Sequence, residues 1–83
     1  MVKREEGAET TIRGIVIPID WDDYDNVIRI AIQTSDEDEY IVDYNKKGKE
    51  LWDFIEEEAE VTGYVREDKD DNFIIKVNEY SLI

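Results

Sequence analysis

Cysteine and histidine are both absent from this 83-residue chain, and proline occurs once. Without cysteine there is no disulfide and no thiolate metal site, so packing alone must hold the fold, and the redox compartment is left open. Without histidine the usual zinc ligand and the usual general base near neutral pH are missing together. Serine is confined to Ser35 and Ser81, and no nucleophile–base pair suggests itself. Gly48 stands alone, so there is no glycine-rich phosphate loop. The expectation is a protein that is not an enzyme and carries no cofactor.

Long apolar runs are missing as well. None approaches the ~18–20 residues needed to span a bilayer, and the opening MVKREEGAET lacks the apolar centre of a secretory signal. A cytoplasmic location without membrane contact is expected. Positive charge is scarce: 10 Lys and Arg face 23 Asp and Glu, a formal net charge of −13. Such a field repels polyanions and suits a basic protein or peptide. Nucleic-acid binders usually carry a basic stripe, and only Lys46, Lys47 and Lys49 come near one.

What the chain does have is a series of β-branched and aromatic segments separated by acidic turns. Residues 1–9 are charged and without period, which reads as a flexible N-terminal arm; 10–83 read as a single domain. The first strand is expected over Thr10–Ile19, bent or bulged at Gly14, with Pro18 at a strand edge or end. Ile15, Val16 and Ile17 are consecutive, which implies cover on both faces. The second strand, Val27–Thr34, alternates with Ile28, Ile30 and Ile32 inward and Arg29, Ala31 and Gln33 outward. In the third, Glu39–Tyr44, Tyr40, Val42 and Tyr44 share one face and Ile41 and Asp43 the other; which face is core stays open.

Asn45 is placed to cap a helix over Lys47–Glu57, with Leu51, Phe54 and Ile55 on its buried side. Glu56, Glu57 and Glu58 crowd its C-terminal end, where the helix dipole disfavours negative charge. A fourth strand follows over Ala59–Glu67, then a polar turn at Asp68–Asn72 and a fifth strand from Phe73. There the apolar series changes parity between Val77 and Tyr80, which places a bulge near Asn78-Glu79.

Three strands, a helix and a two-stranded hairpin, with Gly14 inside a long first strand, ELWDFIEE in the helix slot and EVTGYVRED after it, resemble the OB-fold family over residues 10–82. The chain looks like the small stand-alone bacterial OB-fold proteins. The resemblance implies an all-β domain with one helix: a five-stranded Greek-key barrel, helix between strands 3 and 4. It also implies a ligand lying across strands 2 and 3 between the loops Asp20–Asn26 and Asp68–Asn72, with Trp21, Tyr24, Arg29, Gln33, Tyr40 and Tyr44 as binding residues.

The leading functional reading is a small acidic interaction module that binds a basic protein or peptide, itself a monomer or a weak dimer through strand edges. The alternative is single-stranded nucleic acid stacked on the tyrosines, against which the acidic loops argue. A further alternative is a weak divalent-cation site. Asp68, Asp70, Asn72 and Glu79 fit a calcium-loop spacing, but Phe73 stands where that loop needs glycine. A carboxylate-rich hairpin turn explains the same letters.

Overall fold

A computed structural model describes residues 9–83, so the expected arm lies, but for Glu9, outside the described residues. Five strands, β1 (Glu9–Trp21), β2 (Val27–Thr34), β3 (Glu39–Val42), β4 (Glu58–Glu67) and β5 (Phe73–Leu82), close into a barrel in the order β1-β2-β3-β5-β4. All neighbours pair antiparallel except β3 and β5, which run parallel. A short helix, α1 (Lys46–Glu50), continued by a 3₁₀ turn at Leu51–Phe54, joins β3 to β4. This is the five-stranded barrel with one intervening helix that the order of segments implied.

Closure requires β1 to serve two partners. Glu9–Ile15 pair with β4 and Gly14–Trp21 with β2, so the strand changes neighbours at Gly14. The register there is unbroken, which corrects the expected bulge. A Cβ on Gly14 would lie 2.2 Å from the carbonyl oxygen of Gln33; the glycine admits a close backbone approach. The irregularities fall later. Pro18 faces Ile30 and Asp20 faces Arg29, leaving Ile19 extra on β1, and the next step leaves Ile28 without a partner on β2. Pro18 lies beyond the last β1–β4 pair, Ile15 with Glu58, where its missing N–H breaks no ladder on that side.

The core takes alternate residues from every strand: Ile12 and Val16, Ile30 and Ile32, Val42, Ala59 and Val61, Ile75 and Val77. Leu51, with no exposed surface, plugs the barrel from the helical segment, and Phe54 and Ile55 pack beside it. Two inward–outward assignments on β2 need correction. Ile28, expected inward, is 41% exposed, because the paired bulges rotate the start of β2 away from the core. Ala31 has the outward parity but is fully buried; it is too small to project past its cross-strand neighbours Ile17 and Ile41. On β1, Val16 is buried and Ile17 half-buried but Ile15 is 39% exposed, so cover of the outer face is partial.

The helical segment is shorter than its apolar spacing suggested. It ends at Phe54; Ile55 leaves with ψ 134° and Glu56 takes φ 75°. Successive glutamates oppose another turn at the negative end of the dipole. The chain gains instead by joining β1: the Glu56 N–H donates to Val16 O at 2.7 Å and the Val16 N–H to Glu57 O at 3.0 Å. At the other end Asn45 caps as expected, its Oδ1 accepting from the Gly48 N–H at 3.1 Å while its amide donates to Val77 O at 2.7 Å. The Tyr80 hydroxyl donates to Glu50 Oε1 at 2.9 Å and ties α1 to β5. That bond, then burial and the nearby Glu50 and Asp53 charges, raise the phenol above its ordinary value.

Three hairpin loops share one design. Asp22–Asn26, Thr34–Asp38 and Asp68–Asn72 each close with the first residue's N–H on the fifth residue's carbonyl, at 2.9, 2.9 and 3.0 Å. In each the fourth residue is left-handed: Asp25 (φ 67°), Glu37 (φ 71°) and Asp71 (φ 68°). This is the three-residue hairpin that ends in a residue with positive φ. Aspartate tolerates that region better than glutamate does. Glu37→Asn and Glu56→Asn should therefore each stabilise the fold by about 0.5 kcal/mol, read as a higher urea midpoint at unchanged slope. A lower midpoint in both would contradict the strain assigned to these positions.

Candidate ligand-binding cleft

Register places an apolar row across the outer face: Ile17, Ala31, Ile41 and Ile74 are successive cross-strand neighbours on β1, β2, β3 and β5, and Arg66 on β4 continues it. Beside this row opens a cleft of about 250 Å³. Its apolar lining is Ile28, Ile41 and Ile74, with Val42 behind. Tyr44 and Trp52 form one wall, their ring centroids 5.5 Å apart. The Trp52 ring is held to the start of β2, its Nε1–H donating to Val27 O at 3.2 Å, and the Tyr44 hydroxyl reaches Ile28 O at 3.5 Å. A second depression sharing these two rings is lined by Tyr44, Trp52 and Lys49, whose Nζ lies 5.7 Å from the Tyr44 centroid.

The charged groups of the cleft are Arg29, Asp43 and Arg66. Asp43 is fully engaged: Oδ1 accepts the Tyr44 N–H at 2.8 Å and Oδ2 accepts from Arg66 Nη1 at 3.2 Å. A half-exposed pair of this kind contributes at most about 1 kcal/mol, but it holds Arg66 in place. The Arg29 guanidinium, exposed on β2, has no hydrogen bond or ion pair among the described residues. One guanidinium is thus held and another left open over an apolar floor.

Of the residues the sequence singled out, Arg29 and Tyr44 meet in this cleft. Trp21 (50% exposed) ends β1 and Tyr24 (83% exposed) lies in the β1–β2 connection. Gln33 is half-buried on β2 between Ile15 and Glu39. Tyr40, whose facing the alternation left open, packs against the core and stacks on Phe73 at 5.5 Å. Sequence reasoning did not single out Trp52, Asp43, Arg66 and Ile74, which line the cleft. The outward series Glu60, Thr62, Tyr64, Arg66 held one usable signal, a lone cation at the end of an outward face.

Two acidic loops adjoin the cleft. Ile28 lies two residues beyond the loop ending at Asn26, and Arg66 and Ile74 lie two residues to either side of the loop Asp68–Asn72. Their leading aspartates are occupied. Asp22 Oδ1 accepts the N–H groups of Tyr24 and Asn26 at 2.8 and 3.0 Å, and Asp68 Oδ1 those of Asp70 and Asn72 at the same two distances. The second oxygen of each takes the Asn26 or Asn72 side-chain amide. Glu79 lies on β5 opposite Thr62, and no group of three or more acidic side chains among the described residues is disposed to hold a metal.

The backbone bonds from Asn26 and Tyr24 hold the Asp22 carboxyl below its ordinary value, and those from Asn72 and Asp70, with Arg66 nearby, do the same for Asp68. A depressed carboxylate contributes stability above its unfolded-state pKa and loses it as pH falls through the folded value. The double variant Asp22→Asn, Asp68→Asn should be less stable than the parent above about pH 5. The gap should close as the pH falls below the ordinary carboxylate value and through the lowered folded-state one. Urea midpoints against pH test this; a gap that stays constant down the acid limb would refute it.

Comparisons of the chain with protein-family models, with curated proteins and with solved structures return no match. Among the described residues no helix is long and apolar enough to cross a membrane.

Proposed function

We propose that this chain is a non-catalytic OB-like binding module that takes a segment of a partner protein in the cleft between β2, β3 and β5. The strand order with parallel β3 and β5, and the helix between β3 and β4, support the OB-like assignment. The observation that carries the binding reading is the cleft itself. Three isoleucines line it, the Trp52 ring is held by a backbone hydrogen bond beside Tyr44, and it stands open on the outer face of a barrel whose interior is already filled. An apolar floor with a few oriented polar groups is the usual composition of a recognition site, and aromatic and arginine side chains are the usual anchors.

Selection of a displayed random-peptide library on the immobilised protein, followed by amide-shift mapping, tests this. Recovered peptides should perturb Ile28, Arg29, Ile41–Tyr44, Arg66 and Ile74, and Tyr44→Ala should weaken them about tenfold. No enrichment, or perturbation confined to the opposite side of the barrel, would sink the proposal.

The second reading, short single-stranded nucleic acid, is favoured by one feature: Arg29, Arg66 and Lys49 stand around the Tyr44–Trp52 pair. If it holds, oligothymidylate at about 50 mM salt should quench Trp52 with micromolar affinity that weakens steeply with salt. Silence under those conditions removes it.

A further inference from the structure

Resting on the reading of the cleft as a peptide site, we infer that its ligand is basic at both ends and acidic at the middle, with one carboxylate seated on Arg29 between apolar side chains. The overall charge of −13 points to a basic partner, yet a uniformly basic segment would meet two guanidinium groups at the centre of the cleft. The local pattern resolves the conflict. The middle is apolar and cationic: Ile28, Ile41 and Ile74 with Arg29 open and Arg66 already paired to Asp43.

The adjoining loops are anionic, with Asp22, Asp23 and Asp25 on one and Asp68, Asp70 and Asp71 on the other. The loop hydrogen bonds hold the Asp22 and Asp68 carboxylates in place, and the loops' negative charge attracts Lys or Arg on the ligand's flanks. A carboxylate on a guanidinium over apolar surface forms the stronger, charge-assisted kind of hydrogen bond. A polyanion satisfies Arg29 equally well but must pass between both acidic loops, and this favours a peptide over a nucleic acid.

The probes are three blocked peptides: KRLELRK, its glutamine counterpart KRLQLRK, and the charge-reversed EELKLEE. They are titrated into the full chain bearing Trp21→Phe, so that Trp52 alone reports, with amide shifts recorded in parallel. KRLELRK should bind and shift the cleft amides, KRLQLRK should bind about tenfold more weakly, and EELKLEE should be silent. Arg29→Met, which keeps the apolar stem on an exposed position, should erase the Glu-over-Gln preference, and Arg29→Lys should restore part of it.

Equal binding of the Glu and Gln peptides, or a preference that survives Arg29→Met, overturns the inference and leaves the peptide site standing. So does a library whose cleft-binding members lack an acidic centre. If the library recovers no cleft binder and none of the three peptides shifts the cleft, the reading beneath it falls too. Displacement of KRLELRK by oligothymidylate at the same amides would assign the cleft to nucleic acid instead.

Discussion

Leu51→Ala is expected to destabilise the protein by about 3 kcal/mol, lowering the thermal midpoint by roughly 15 °C for a domain of this size. Leu51 has no exposed surface and comes from the helical segment, not from a strand. It therefore fills the end of the barrel that no strand can fill. Truncating it opens a cavity bounded by paired strands, which cannot collapse inward without breaking their ladders, so the site relaxes little and most of the cavity penalty remains. A domain of 83 residues has a total stability of only about 4–12 kcal/mol, so the variant should fold but stand close to its limit. The effect should also reach the cleft. Trp52 is the next residue, and its hold on Val27 O depends on the seating of this turn. Its emission should shift to the red along with the loss of stability. A midpoint within about 3 °C of the parent would mean that the helical turn does not plug the barrel.

What the sequence makes legible here is what local pattern controls. Ile30 with Ile32, Val61 with Gly63, and Ile75 with Val77 sit at period two and face inward, as a half-buried strand requires. The break in parity between Val77 and Tyr80 locates a real bulge: Thr62 pairs with Glu79 and Gly63 with Val77, which leaves Asn78 extra. Asn45 is recognisable as a cap because capping depends on a few neighbouring atoms.

Features that depend on other strands were not legible. Ile28 continues the inward series of β2 but turns out because it is the extra residue where the β1–β2 register shifts, and the alternation within β2 does not record that. Ala31 is buried by Ile17 and Ile41, residues of two other strands. The cleft is the extreme case. Arg29, Asp43, Trp52, Arg66 and Ile74 come from five separate stretches of chain and meet only because the barrel closes β5 onto β3. The two acidic loops carry the same spacing, DDYDN and DKDDN, yet their shared hydrogen-bonding role emerges only from the backbone.

Gly63→Ala should be at least as damaging as the loss of Leu51, by a different route. Gly63 lies in the middle of β4, flanked by Thr10 of β1 and Val77 of β5, directly beside the bulge at Asn78. The bulge coils the two strands so tightly that a Cβ at this position would sit 2.0 Å from the carbonyl oxygen of Lys76 and 2.8 Å from its carbonyl carbon. Those atoms belong to backbone held in the sheet, so no rotamer change relieves the contact. The strands must part, and parting them here unseats Val61 and Val77, both buried in the core. Overpacking against side chains usually costs about 1–3 kcal/mol; against fixed backbone the cost should exceed about 3 kcal/mol. Asn78→Ala serves as the control. That side chain is exposed, and its one hydrogen bond among the described residues, to Glu9 Oε2 at 3.0 Å, should be worth about 0.5 kcal/mol. Urea unfolding should therefore separate the two variants widely, with Gly63→Ala partly unfolded or insoluble and Asn78→Ala close to the parent. If the two lose similar, small amounts, the tight coil between β4 and β5 is wrong. The closure that brings Arg66 and Ile74 to the cleft would then lose its support.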